Sequence, residues 1–233
     1  MARVKTIGLI GGMSWESSAS YYRHVNETVR ARLGGLHSAR TVMYSVDFAE
    51  IEILQREGRW AEAGGILADA ARRLERSGAE LLVLCTNTMH RVAAAVEAAV
   101  SIPLVHIADA TAQRVRSRSL EAVGLLGTRF TMEEAFYKDR LVERHGLRVI
   151  VPPAGDRERV HRIIYDELCL GEIRAGSKAE YVGIMERMAG EGAQGIILGC
   201  TEIGLLVDQA DARVPLFDTT RIHAEAAVDL ALT

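Results

Sequence analysis

The chain has 233 residues, enough for one large or two small domains with a sizeable core. Its 28 basic and 31 acidic residues leave a net charge of −3, which excludes a field that would draw nucleic acid or an anionic membrane. The opening MARVKT is too short for a signal peptide, no apolar run reaches the roughly 18 residues of a membrane helix, and three cysteines without CxxC spacing suit a reducing cytoplasm better than a disulfide framework or zinc site.

Residues 4–10, VKTIGLI, read as a short apolar strand that ends at Gly11-Gly12-Met13-Ser14. Ser14 then caps a helix through WESSASYYRHVNETVRARL, in which Tyr21, Val25 and Val29 recur at intervals of four. The turn lacks the third glycine of GxGxxG, and no acidic residue ends a second strand at the expected distance, so it is not read as a dinucleotide site. A second strand over 41–46 leads through Asp47 to a polar segment holding Gln55, and 60–77 forms an amphipathic helix. The strand Leu81–Leu84 follows, with a polar tip at 85–88, then an alanine-rich helix over about 90–100 and a further strand at Ile102-Pro103-Leu104-Val105.

From there the pattern begins again. Residues 121–127, EAVGLLG, answer the first strand; Phe136-Tyr137 fall near the place of Tyr21-Tyr22; residues 148–151 echo the second strand; 157–171 and 178–192 read as helices. Residues 192–202, GAQGIILGCTE, repeat the design of 78–88, GAELLVLCTNT, and without a gap this overlay puts Thr86 opposite Cys200, Asn87 opposite Thr201, and Cys85 opposite Gly199. Val214-Pro215-Leu216-Phe217 match Ile102-Pro103-Leu104-Val105. Stations recur at about 112 to 116 residues, half the chain, which is too long a period for a solenoid. The expected fold is therefore α/β, with two pseudo-symmetric domains, each a parallel sheet flanked by helices: 1–104 with 213–233, and 105–212.

Ligands of open α/β sheets bind at the carboxyl ends of the strands. A pseudo-twofold axis is expected to bring equivalent tips to face each other across a cleft, with Thr86 and Cys200 on opposite sides of one substrate. Two acid/base groups so placed suit removal of a proton from one face of a carbon and its return on the other. A thiol, with an ordinary pKa of about 8.5, is drawn toward neutrality by a nearby helix N-terminus, and such termini offer backbone N–H groups to a carboxylate. Asn87, Thr88 and Thr201 add short polar groups. The expected substrate is a small carboxylic acid handled at its α-carbon.

The motifs GGMSWESSASYY, CTNTMH and GCTEI, in this order and spacing over essentially the whole chain, resemble the aspartate/glutamate racemase superfamily, and within it the L-aspartate/glutamate-specific racemases of enteric bacteria. The resemblance implies two flavodoxin-like domains, a commonly dimeric assembly, no cofactor or metal, an amino acid substrate, and cysteine acid/base chemistry at the domain interface. The usual first motif has its cysteine directly before Asn-Thr; here Thr86 stands there and the cysteine is one place earlier. Side chains on a strand alternate faces, so Cys85 is expected to point away from the site. Cys200 is thus the expected thiolate base and Thr86 the group on the other face, directly or through a water, with L-enantiomers turned over better than D-forms.

Met13 and Gln55 match family positions that contact substrate, and Thr128 is added by pseudo-symmetry as the tip of the repeated first strand. Glu202 orients Thr201 or caps its helix. Cys85 is read as a buried small hydrophobe, Cys169 as filler of an amphipathic helix, and Trp15, Tyr21 and Tyr22 as packing or dimer contacts. His90 and His223 are read as closing helices, with tuning of a thiol as the alternative. No arginine lies within the motifs to read a side-chain carboxylate, and Arg129 is the candidate outside them. The alternatives are a decarboxylase or isomerase of the same superfamily using Cys200 alone, and a non-catalytic amino-acid binder.

Overall fold

The computed structural model describes residues 4–233, so the first three residues of the MARVKT segment lie outside the described residues. The chain divides into two units, one running to Ile107 and resuming at His223–Thr233, the other spanning Ala108–Ile222. In order, the first contains β1 (Ile7–Gly11), α1 (Trp15–Leu33), β2 (Thr41–Ser45), α2 (Phe48–Arg56), α3 (Trp60–Arg76), β3 (Leu81–Leu84), a 3-10 turn at Thr88–Val92, α4 (Ala93–Glu97) and β4 (Leu104–Val105). After α5 (Ile107–Arg116) come β5 (Ala122–Gly127), α6 (Arg129–Glu133), α7 (Ala135–Asp139), a π turn at Arg140–Arg144, β6 (Arg148–Ile150), α8 (Ala154–Asp166), a 3-10 turn at Leu168–Leu170 and α9 (Ala175–Gly190). β7 (Ile196–Gly199), α10 (Ile203–Leu206), a 3-10 turn at Gln209–Asp211, β8 (Leu216–Asp218) and α11 (Thr219–Ala231) complete the chain.

Each unit is a four-stranded parallel sheet, ordered β2-β1-β3-β4 and β6-β5-β7-β8, the flavodoxin-like order without a fifth strand. The sequence repeat is reproduced in the strand register. Gly8 lies between Val42 and Leu82, and Leu82 pairs with Leu104; in the second sheet Gly124 lies between Ile150 and Ile196, and Ile196 pairs with Leu216. Both glycines sit in tight packing: a Cβ on Gly8 would sit 2.8 Å from the Cβ of Ala79, and one on Gly124 would sit 2.6 Å from the movable end of Ile196.

The central strands are buried on both faces, as their unbroken apolar runs require. Leu82 and Leu84 pack with Ala63, Leu67 and Leu74 of α3, while Leu81, Val83 and Cys85 pack with Tyr21, Val25 and Val29 of α1 and Ala224, Ala227 and Val228 of α11. In the second unit Ile196 and Leu198 pack with Val160 and Ile164 of α8 and Ile184 and Met188 of α9. Each such Leu, Ile or Val contributes about 1.5–3 kcal/mol by leaving water.

Four sequence expectations are corrected. The segment 213–233 does not all return to the first domain: β8 pairs with β7, so the strand completes the second sheet and only His223–Thr233 joins the first unit. The polar segment holding Gln55 is α2, started by the Asp47 carboxylate accepting the Ala49 N–H. The helix expected over 90–100 is a 3-10 turn followed by the short α4. The second-unit counterpart of the 19-residue α1 is broken, because Glu134 takes an extended conformation between α6 and α7. Tyr137 is nonetheless buried as fully as Tyr21. Among the described residues, no helix is long and apolar enough to cross a membrane.

Candidate active site

In a sheet ordered 2-1-3 the strand direction of winding reverses between the first and third strands, and their carboxyl ends flank the ligand crevice. In the first unit those ends are the Gly11-Gly12-Met13 turn and residues 86–88. Gly12 has φ +95°, and a Cβ there would lie 2.1 Å from the Val46 carbonyl oxygen, so the turn needs glycine. Its N–H donates to Ser18 Oγ at 2.7 Å, and Ser18 Oγ donates to the Ser14 carbonyl at 2.9 Å, tying the turn to the first turn of α1. Thr86, Asn87 and Thr88 are all buried at the other end. Beside them Gln55 Nε2 donates to Met89 Sδ at 3.0 Å, and Met89 shares its apolar cluster with Met13. The structure thus gathers Met13, Gln55 and 86–88 at one edge of the first sheet.

Strand alternation sorts the two residues at the tip. Cys85 continues the face of Leu81 and Val83, fully buried under α1 and α11, and burial pushes its thiol far above the ordinary range. Thr86 has the parity of Leu82 and Leu84 on the opposite face. Its carbonyl accepts the His90 Nδ1–H at 2.8 Å, and His90 Nε2 accepts the Ile107 N–H at 3.2 Å. That pair of bonds fixes a neutral ring whose task is to brace the tip. His223 is likewise committed: its Nε2–H donates to the Val105 carbonyl and its Nδ1 accepts the Tyr21 hydroxyl, both at 2.7 Å.

In the second unit the corresponding ends are Thr128 after β5 and 200–202 after β7. Gly127 and Gly199 are cross-strand partners, and a Cβ on Gly199 would lie 2.8 Å from the Leu126 carbonyl oxygen. Thr128 caps α6, its Oγ1 accepting the Thr131 N–H. The half-buried Cys200 packs its sulfur on the α8/α9 core and donates its S–H to Glu202 Oε2 at 2.9 Å. The same oxygen accepts the Thr201 hydroxyl at 2.6 Å, and Glu202 is itself buried.

This arrangement corrects one expectation. The Cys200 thiol is not drawn toward neutrality; burial, and then the charge of Glu202, push it well above the ordinary thiol range. The helix that follows the tip, α10, has only four residues, too short a dipole to offset a carboxylate in contact with the sulfur. Glu202 therefore touches the thiol itself as well as orienting Thr201.

Residues 10–227 match the Asp/Glu/hydantoin racemase family. The chain belongs to that family. A candidate Asp/Glu racemase from Yersinia pestis is 56% identical over 98% of this chain and 100% of its own, with a TM-score of 0.92. An aspartate racemase homologue from Pyrococcus horikoshii is 38% identical over 97% and 99% of the two chains, with a TM-score of 0.84. The broad specificity amino-acid racemase RacX of Bacillus subtilis is 23% identical over 97% of this chain and 98% of its own. As a member of the Asp/Glu/hydantoin racemase family the chain is an enzyme of the isomerase class, built on the two-sheet α/β fold that such neighbours share.

Of the expected site residues, Met13, Gln55, Thr86, Asn87 and Thr88 come together at the first sheet's edge, and Thr128, Cys200, Thr201 and Glu202 at the second's. Two relationships escaped the sequence reading. The grip of His90 on the Thr86 carbonyl lies within the CTNTMH motif, but as a bond from a ring to a backbone carbonyl four residues back it left no side-chain pairing for the sequence to suggest. The Cys200–Glu202 bond was within reach, since a carboxylate two residues past a strand-end cysteine can fold back onto it.

Proposed function

We propose that this chain racemises aspartate and glutamate, without an organic cofactor, by moving the α-proton between Cys200 on one face of the α-carbon and Thr86, or a water it holds, on the other. The observation that carries the reading is a broken equivalence. At the position where the second sheet presents the Cys200 thiol with a carboxylate partner, the first sheet presents Thr86, while the cysteine next to Thr86 is sealed in the core. In the free enzyme Cys200 is a thiol, so catalysis from the L-side begins with transfer of its proton to Glu202, after which the thiolate takes the α-proton. An alcohol is a far weaker acid than a thiol. L-aspartate and L-glutamate are therefore turned over faster than the D-forms. A homodimer working in the cytoplasm completes the proposal.

The test is proton NMR in heavy water with L-glutamate, L-aspartate and their D-forms, comparing wild type, Cys200→Ser, Thr86→Ala and Cys85→Ala. The expected result is loss of the α-proton signal from the L-substrates that disappears with Cys200→Ser and persists in Cys85→Ala. Absence of exchange with wild type, or a requirement for Cys85 in place of Thr86, overturns the reading and favours the binder or the decarboxylase.

A further inference from the structure

We infer that Arg129 reads the side-chain carboxylate of the substrate and so sets the preference for acidic amino acids; the inference rests on the racemase reading above. Aspartate and glutamate bring two carboxylates and one ammonium to a sheet edge where the buried Glu202 already supplies a negative charge beside Cys200. A site that accepts such a substrate needs a cation, because a carboxylate taken out of water unpaired is strongly disfavoured.

Arg129 stands where that cation is needed. Gly127 and Gly199 are partners across adjacent parallel strands; Thr128 follows the first and Cys200 the second, so Arg129 is two residues past a strand end that lies one strand spacing from the thiol's own. Its backbone is fixed as the first residue of α6, with its N–H donating to His161 Nδ1 at 3.3 Å. Its side chain is exposed, its guanidinium carbon lies 5.7 Å from the Phe130 ring centre, and among the described residues it has no carboxylate partner. Three other cations of this unit are held by carboxylates: Arg157 by Glu133, Arg174 by Glu167 and Glu172, and Lys178 by Asp211. His161 does not compete for the role, since burial, and then the charge of Arg129, keep its ring toward the neutral form.

The internal repeat supports the same assignment. Counted from the last glycine of the strand, the place of Arg129 in the first unit belongs to Met13, which is buried in the apolar cluster under α3. A substrate that carries a charged side chain on one side only requires its binding positions to break the pseudo-symmetry, and Met13/Arg129 breaks it in charge as Thr86/Cys200 breaks it in acidity.

The experiment compares wild type, Arg129→Gln and Arg129→Lys in heavy-water exchange of L-glutamate and L-aspartate against their neutral isosteres L-glutamine and L-asparagine. Arg129→Gln is expected to lower kcat/KM for the acidic pair by roughly 10- to 100-fold, the worth of one hydrogen bond to a charged group, and to lower exchange of the amides by clearly less. Arg129→Lys restores part of the loss. An equal fall for acids and amides, or no fall for either, overturns the inference while the racemase reading stands. Failure of wild type to exchange any of the four amino acids overturns both.

Discussion

The Cys200 thiol donates to the Glu202 carboxylate at 2.9 Å, so the residue that must lose a proton already points it at an acceptor. Burial is the first cause of the raised thiol pKa and Glu202 the second. Removing the carboxylate charge therefore lowers the pKa while taking away the acceptor. In a Cys169→Ser background, which leaves Cys85 buried and Cys200 as the thiol within reach, Glu202→Gln is expected to shift the pH profile of iodoacetamide alkylation to lower pH and to reduce α-proton exchange. A profile that stays in place, or moves up, contradicts the electrostatic assignment.

His223 predicts how stability responds to acid. Its ring is fully buried between Tyr21 and Val105, and burial lowers its pKa from 6.5 to about 4. The unfolded chain takes up a proton on His223 as pH falls through about 6.5, whereas the folded chain resists until about 4. The contribution is complete above 6.5 and is lost as pH falls across that window, about 3 kcal/mol in all. Urea midpoints of wild type and His223→Gln, measured between pH 7 and pH 4.5, are expected to converge on the acid side. Parallel curves contradict this account.

Two glycine-to-alanine changes separate a required glycine from a dispensable one. At Gly199 the new Cβ would lie 2.8 Å from the Leu126 carbonyl oxygen, which no rotamer change relieves, so Gly199→Ala is expected to cost about 1–3 kcal/mol. At Gly183, inside α9, the nearest atom is the mobile end of Arg187 at 3.5 Å, and Gly183→Ala is expected to stabilise by up to about 1 kcal/mol through helix propensity. Opposite signs in chemical denaturation are the result to look for.

His90 braces the tip through the Thr86 carbonyl and the Ile107 N–H, and its variants grade accordingly. Asparagine keeps a donor near the Thr86 carbonyl but loses the acceptor for the Ile107 N–H, while leucine loses both. His90→Leu is expected to lower the unfolding free energy by about 1–3 kcal/mol and His90→Asn by less. Equal losses in thermal unfolding would assign the effect to ring volume alone.

Much of this was legible beforehand because the repeat writes itself in residues with few substitutes. Gly8 and Gly124 recur at the same tightly packed register position, and the ungapped overlay of Thr86 on Cys200 matches the hydrogen-bond register of both sheets. Alternation alone sent Cys85 to the core. What stayed hidden depended on nonlocal burial. The thiol's raised pKa follows from enclosure by α8 and α9 and from the fold-back of Glu202, neither of which a helix-terminus argument contains. The division of the last 21 residues between two units likewise follows from pairing and packing partners, β8 joining β7 while α11 covers the first sheet.

The return of His223–Thr233 to the first unit has a consequence for biosynthesis. The sheet β2-β1-β3-β4 has all its strands by Val105, yet the face of Leu81, Val83 and Cys85, covered in part by Tyr21, Val25 and Val29 of α1, waits for Ala224, Ala227 and Val228 to complete its cover. On a ribosome that emits the chain from its amino end, the unit begun first is the one finished last, while Ala108–Ile222 is already complete in the interval. The nascent first unit therefore carries a partly uncovered apolar sheet face through the synthesis of an entire second unit.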